Sequence, residues 1–145
     1  HVPQEILLID DSIRKNIAFG IPDNEIDNKK ISYALEISSL NKVIRTFTNG
    51  IETKVGERGS LLSGGQKQRI GIARAIYQSK QILFLDEATS ALDKKTEEEI
   101  LKNLTNNKKN SFTVIMITHR PRDEIKYNQI LEVKDNNIKS KFIDS

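Results

Sequence analysis

Asp86 and Glu87 stand side by side at the end of an apolar run, Ile82-Leu83-Phe84-Leu85. Such a run between polar flanks predicts a strand buried on both faces. Open α/β sheets bind ligands at the carboxyl ends of their strands, so this strand would deliver two carboxylates to that edge. One carboxylate can hold Mg²⁺, usually through water, and the next can orient and activate a water for attack on a phosphoryl group. His119 follows a second apolar run, Phe112 to Ile117, and reaches the same edge. Its ring can donate to a phosphate oxygen or to a positioned water. Gln4 falls at the end of a third strand on that edge if residues 1–4 close one, and its amide can join a metal or water shell. Ser63-Gly64-Gly65-Gln66 opens a helical pattern in which Ile70, Ala73 and Tyr77 recur at helical spacing, with Ile72 and Ile76 beside them. Ser63 is a suitable N-cap. The glycines let another group approach the backbone, and a helix start with free N–H groups attracts anions. Singly, each signal has an ordinary explanation: solvated acids, a surface histidine, a loop glutamine, a glycine-containing turn. Together they point to nucleoside triphosphate chemistry.

Several elements must position these residues. Asp10, Asp11 and Ser12 offer caps for a short helix through Ile17, broken by Gly20 and Pro22. Further helices are predicted over about 24–37 and 40–47, the latter ending at Asn49-Gly50. Residues 51–62 read as irregular, with Gly56 and Gly59 bracketing Glu57-Arg58, and Thr53–Gly59 within them as a flexible charged loop. The helix opened by Ser63 runs to about Gln78. After the Ile82–Leu85 strand, a helix is predicted over 93–105, with Thr96 and Glu99 as a capping box. A short helix around Arg122–Lys126 follows the second strand. Ile130–Val133 and Ile138–Ile143 read as a hairpin turned at Asp135-Asn136-Asn137. Strand–helix–strand implies a parallel pair with a right-handed crossover. Two buried strands are too few for an open sheet covered on both faces, so further strands are expected upstream.

Composition sets the outer limits. The chain has 145 residues, about one domain's worth. Its net charge is +3, with basic and acidic residues interspersed, which gives no case for a nucleic-acid partner. The absence of cysteine excludes a disulfide framework and a cysteine–zinc site. No apolar run is long enough for a membrane helix, and no signal peptide is visible.

The motifs, taken in order, resemble the nucleotide-binding domain of ABC transporters. Leu62-Ser63-Gly64-Gly65-Gln66 resembles the family signature, and Ile82 to Glu87 its Walker B strand with the catalytic glutamate. Ser90-Ala91-Leu92-Asp93 resembles the D-loop, His119 the switch histidine, and Val2-Pro3-Gln4-Glu5 the Q-loop. The match covers nearly the whole chain. It implies an α/β fold: part of a P-loop NTPase (RecA-like) core with parallel strands, plus an α-helical signature subdomain. Residues 1–4 would end a core strand, 5–78 form the helical subdomain and 79–145 the second half of the core. The resemblance implies ATP and Mg²⁺ as ligands, with Asp86 and Gln4 toward the metal and Glu87 and His119 catalytic. It further implies a second nucleotide-binding domain bound head to tail, whose ATP would meet Ser63, Gly64, Gly65, Gln66 and Asp93 in trans. Thr53 to Gly59 resembles the loop that touches the membrane domains in exporters, although Lys54 stands where the family is often acidic. The expected location is the cytoplasmic face of the inner membrane, and the expected task is export or lipid or oligosaccharide flipping.

The main departure is that no G-x-x-x-x-G-K-[S/T] phosphate loop occurs. The resemblance implies truncation just before the Q-loop, and these residues alone are expected not to hydrolyse ATP. An ABC ATPase unconnected to transport, an importer subunit and a non-catalytic remnant are the alternatives.

Overall fold

The computed structural model describes residues 1–78, 82–105, 112–119, 127–135 and 137–142. Its first half is helical: α1 (Ile13–Ile17), α2 (Asn28–Ile37), α3 (Asn41–Ile44) and α4 (Gly64–Gln78). Then come β1 (Ile82–Asp86), α5 (Lys94–Thr105), β2 (Thr113–Ile117) and the strands β3 (Gln129–Lys134) and β4 (Asn137–Phe142). The Arg122–Lys126 helix expected from the sequence lies outside the described residues, as do Asn136 and Ile143 of the hairpin.

Helix α4 is the centre of the helical part and packs against α1 and α2. Ile70, Ile72, Ala73, Ile76 and Tyr77 are buried, together with Ile13 and Ile17 of α1 and Ile31, Ala34 and Leu35 of α2. The helix starts are set by local oxygen acceptors. Ser12 caps α1 by accepting from Lys15 N. Asp27 accepts from Lys29 N and Lys30 N, so α2 begins at Asn28 and not near residue 24, where Asp23–Glu25 make a 3₁₀ turn. The 40–47 helix shrinks to α3, Asn41–Ile44. The Thr96–Glu99 capping box does not form. Asp93 is the cap of α5: its Oδ1 accepts from Thr96 N at 3.0 Å and its Oδ2 from the Thr96 hydroxyl at 2.7 Å. An aspartate three residues before Thr96 offers two acceptor oxygens, and the Thr96 hydroxyl donates to one of them.

Strands β1 and β2 pair in parallel, with Ile82 opposite Thr113 and Asp86 opposite Ile117. On the other edge of β1, Val2 bridges Leu85: Val2 N donates to Phe84 O at 2.8 Å and Asp86 N to Val2 O at 2.9 Å. Burial on both faces is not observed. Leu83 and Leu85 are fully buried, but Ile82, Ile115 and Ile117 of the opposite face are 61%, 45% and 44% exposed. A parallel sheet is buried twice only where packing covers both sides, and the described residues leave this side largely open.

Strands β3 and β4 form an antiparallel hairpin in which Lys134 faces Asn137. The connection is therefore two residues long, not three, and Asp135 adopts φ 49° as such a tight turn requires.

Candidate functional site

The carboxyl edge of the parallel strands brings together three of the expected residues. Gln4 follows the Val2 bridge, Glu87 follows β1, and His119 lies two residues beyond β2. Glu87 leaves the strand line through left-handed backbone, φ 47°. For a non-glycine residue that conformation costs on the order of 1–3 kcal/mol and needs support from its surroundings. Support comes from Glu87 N donating to Ile117 O at 3.1 Å and Ser90 N donating to Glu87 O at 3.0 Å. The turn presents the Glu87 carboxylate to both neighbours: Oε2 accepts from Gln4 Nε2 at 3.0 Å, and Oε1 lies 3.0 Å from His119 Nε2. The Glu87 side chain is 26% exposed and that of His119 85%, so the acid is half sheltered and the imidazole faces solvent. Asp86, beside them, is half-buried.

The donor set suits a hard cation with an incomplete protein shell. A carboxylate and an amide oxygen at adjoining strand ends match an ion that keeps water and phosphate ligands. Among the described residues no three His, Cys, Asp or Glu side chains cluster as a metal cage.

The start of α4 is built differently. Ser63 N donates to Gln66 Oε1 at 2.8 Å, and Gln66 N donates to Ser63 Oγ at 3.3 Å. This reciprocal capping box satisfies two backbone donors. The N–H groups of Gly64 and Gly65 sit in the first turn, where no intrahelical acceptor exists. Ser63 and Gly64 are exposed. The close approach expected at the glycines is taken up partly by the chain itself: a Cβ on Gly65 would meet Ala91 O at 3.1 Å, whereas one on Gly64 would make an ordinary 3.5 Å contact with Ala91 Cβ. Thus Gly64 and Gly65 lie against Ala91 and Leu92 in the turn after Glu87.

Asp93, at the end of that turn, is held below the usual carboxylate range, first by the Thr96 hydroxyl and then by Thr96 N–H, with a smaller pull from Arg69. Arg69 donates to Gly65 O and to Ser39 O; burial lowers its pKa, and the charges of Asp93 and Glu99 oppose that.

Two polar residues of α4 that the sequence reading did not single out join this architecture. Gln68, 5% exposed, reaches Ser90 and Ala91. Arg74 donates to Asn16 O at 2.7 Å and Leu7 O at 3.0 Å and lies 5.1 Å from the Phe19 ring centroid. Burial lowers the Arg74 pKa. Both stand among the apolar positions of the helix, and that placement was the available signal. The Thr53–Gly59 loop is not loose. Ile13 N donates to Thr53 O and Val55 N to Asp11 O, each at 3.0 Å, and Val55 is fully buried. Lys54, Glu57 and Arg58 remain exposed around it.

The family described as ABC transporter matches residues 1–90. The chain belongs to the ABC transporter family. The resemblance drawn from its motifs is therefore borne out, and the parallel β1–β2 pair agrees with it. Among its relatives is the multidrug resistance-like ATP-binding protein MdlA of Buchnera aphidicola subsp. Baizongia pistaciae, 46% identical over 94% of this chain and 23% of the relative. The ATP-dependent lipid A-core flippase of Shewanella frigidimarina is 46% identical over 82% of this chain and 20% of the relative. Among solved structures, that of a bacterial Atm1-family ABC exporter with ATP bound matches with a TM-score of 0.84 and 35% identity, over 96% of this chain and 24% of that one. The chain thus spans about a quarter or less of these ABC transporters. No helix among its described residues is long and apolar enough to cross a membrane.

Proposed function

We propose that this chain is the second part of the nucleotide-binding domain of an ABC exporter, and that the intact protein hydrolyses ATP to drive export. The observation that carries this reading is the Glu87 carboxylate held between Gln4 and His119 at the carboxyl edge of a parallel sheet, in a chain of this family.

Glu87 is the general base. It takes a proton from a water whose oxygen attacks the γ-phosphorus, while the bond to the β–γ bridging oxygen breaks in line and ADP leaves. Gln4 and His119 fix the direction of the carboxylate, and the exposed imidazole of His119 is available to a γ-phosphate oxygen. Asp86 and the Gln4 amide oxygen would hold Mg²⁺, which supplies charge neutralisation at the β- and γ-phosphates when bound. Ser63 Oγ and the Gly64 and Gly65 amides, with Gln66 closing the cap, receive the γ-phosphate of a nucleotide carried by a second such domain bound head to tail. Asp93 faces that partner. The exposed charges of Thr53–Gly59 are available to contact membrane domains, and on this reading the chain works at the cytoplasmic face of the inner membrane. The division into residues 1–4, 5–78 and 79–145 follows from the same reading. Cargo is chosen by the membrane domains; the named relatives include both a multidrug resistance-like protein and a lipid A-core flippase.

The test is Glu87→Gln in the intact protein. Loss of a general base costs roughly 10²–10⁴ in turnover, so ATPase activity should fall by that factor while ATP binding stays within threefold of wild type. Turnover that stays near wild type removes Glu87 as the base.

A further inference from the structure

We propose that Gln68 is a positioning residue that locks the turn after Glu87 to the start of α4. This deepens the ATPase reading and rests on it. Both ends of the Gln68 amide are engaged: Nε2 donates to Ser90 Oγ at 3.1 Å and Oε1 accepts from Ala91 N at 2.8 Å. The side chain is 5% exposed, so these bonds form where water does not compete freely. Because Ala91 N–H must meet the amide oxygen, only one orientation of the amide serves both partners.

The clamp sits at a junction. Upstream, Ser90 N donates to Glu87 O at 3.0 Å, so the turn that Gln68 grips is the one that puts Glu87 into left-handed backbone. Below it, Ala91 O would be 3.1 Å from a Cβ on Gly65, so the same turn rests on the helix start. Downstream, Leu92 N donates to Thr89 O at 3.0 Å, and the Thr89 hydroxyl donates to buried Glu97 at 2.7 Å. A shift of the Ser90–Ala91 turn would thus move both the carboxylate at Glu87 and the shelf under Ser63–Gly65. On the reading above, these serve the attacking water and a γ-phosphate respectively. Gln68 touches neither and acts through the turn.

Three variants of the intact protein test this. Gln68→Met keeps the volume and removes both hydrogen bonds. Its kcat per folded molecule should fall about tenfold, with the ATP KM within threefold. Gln68→Glu can still accept from Ala91 N–H and take the Ser90 hydroxyl as a donor, and should recover most of the rate. Ser90→Ala removes one bond only and should lower kcat about threefold, a second reading if Gln68→Met does not fold. A purely structural Gln68 would lower the melting temperature and leave kcat per folded molecule unchanged. Wild-type kcat in Gln68→Met, or in Ser90→Ala where the former is unfolded, overturns the proposal. Glu87→Gln and the intact wild type, run alongside, separate the two failures: if Glu87→Gln is inactive while the Gln68 variants are normal, only the positioning role falls; if Glu87→Gln turns over normally, Glu87 is not the base and the positioning role falls with that assignment; if the intact wild type shows no ATP turnover, the ATPase reading itself falls.

Discussion

Gly71→Ala tests how tightly α4 is seated on the segment that leaves Gln4. In the interior of a helix this change normally stabilises by about 1 kcal/mol, because glycine has the poorer propensity. Here the new Cβ would lie 2.9 Å from Ile6 Cγ1 and 3.2 Å from Cγ2, with Ile6 Cδ1 closer still. Ile6 is 9% exposed and β-branched, so its χ1 is stiff and relief demands movement of the segment. Overpacking of this kind costs about 1–3 kcal/mol, which offsets the propensity gain and leaves a net loss of about 0–2 kcal/mol. The discriminating measurement is a double-mutant cycle by thermal melting of the intact protein. Ile6→Ala alone should cost about 2–3 kcal/mol through the space it leaves. In that background Gly71→Ala should become stabilising by about 1 kcal/mol or more, a coupling of about 1–3 kcal/mol between the two sites. Equal stabilisation by Gly71→Ala in both backgrounds would refute the steric argument.

The two signature glycines should separate in experiment. Gly64→Ala meets only an ordinary 3.5 Å contact and should leave the melting temperature unchanged or raised, so on the proposed reading a loss of ATPase activity reports obstruction of the γ-phosphate; Gly65→Ala presses on Ala91 O at 3.1 Å and should lower both stability and activity. Equal melting temperatures for the two would show that Ala91 gives way freely. For Asp93, the folded-state pKa lies below the unfolded value, so the stabilisation is present above the ordinary carboxylate range and is lost as pH falls through the folded value. Thr96→Val removes the largest cause of that shift. A carboxyl ¹³C titration should show the Asp93 pKa rising toward its ordinary range, and an unmoved titration would assign the shift elsewhere.

The sequence made legible what a strand end or a helix stripe encodes directly. Ile82–Leu85 predicted a strand ending in Asp86-Glu87, Phe112–Ile117 a second, and the carboxyl-edge rule brought His119 and Gln4 beside Glu87 with no other information. Less legible were features that depend on which oxygen reaches which N–H. Asp93 outcompeted the Thr96–Glu99 pattern because its two carboxylate oxygens take both the backbone and hydroxyl donors of Thr96. The Thr53–Gly59 charges read as a loose loop because the backbone bonds to Asp11 and Ile13 that pin it leave no trace in side-chain pattern. The apolar content of β1 says what the strand tolerates on each face and not what covers it: Leu83 and Leu85 are buried while Ile82 is 61% exposed.

Gln68, Gly71 and Arg74 gain their meaning from one another. Read along α4, Gly65 and Gln68 bear on the turn after Glu87, while Gly71 and Arg74 bear on Ile6 and Leu7 in the segment after Gln4. Those two segments also meet directly through the Gln4–Glu87 hydrogen bond. The contacts therefore close a ring: Gln4, Glu87, the Ser90–Ala91 turn, α4, Ile6, and back to Gln4. In an open chain of contacts a displacement at one joint can be absorbed at the free end. In a closed ring of packed groups it must be shared among the other joints, because interiors are dense and yield little. A rotation or slide of α4 large enough to follow a phosphate at Ser63 would then strain either the Gln68 clamp or the Gln4–Glu87 bond. The latter, between an amide and a carboxylate that is only half sheltered, is the weaker joint because water can replace it at little cost. It is the place where movement of α4 would first be felt by Glu87, the base on the proposed reading.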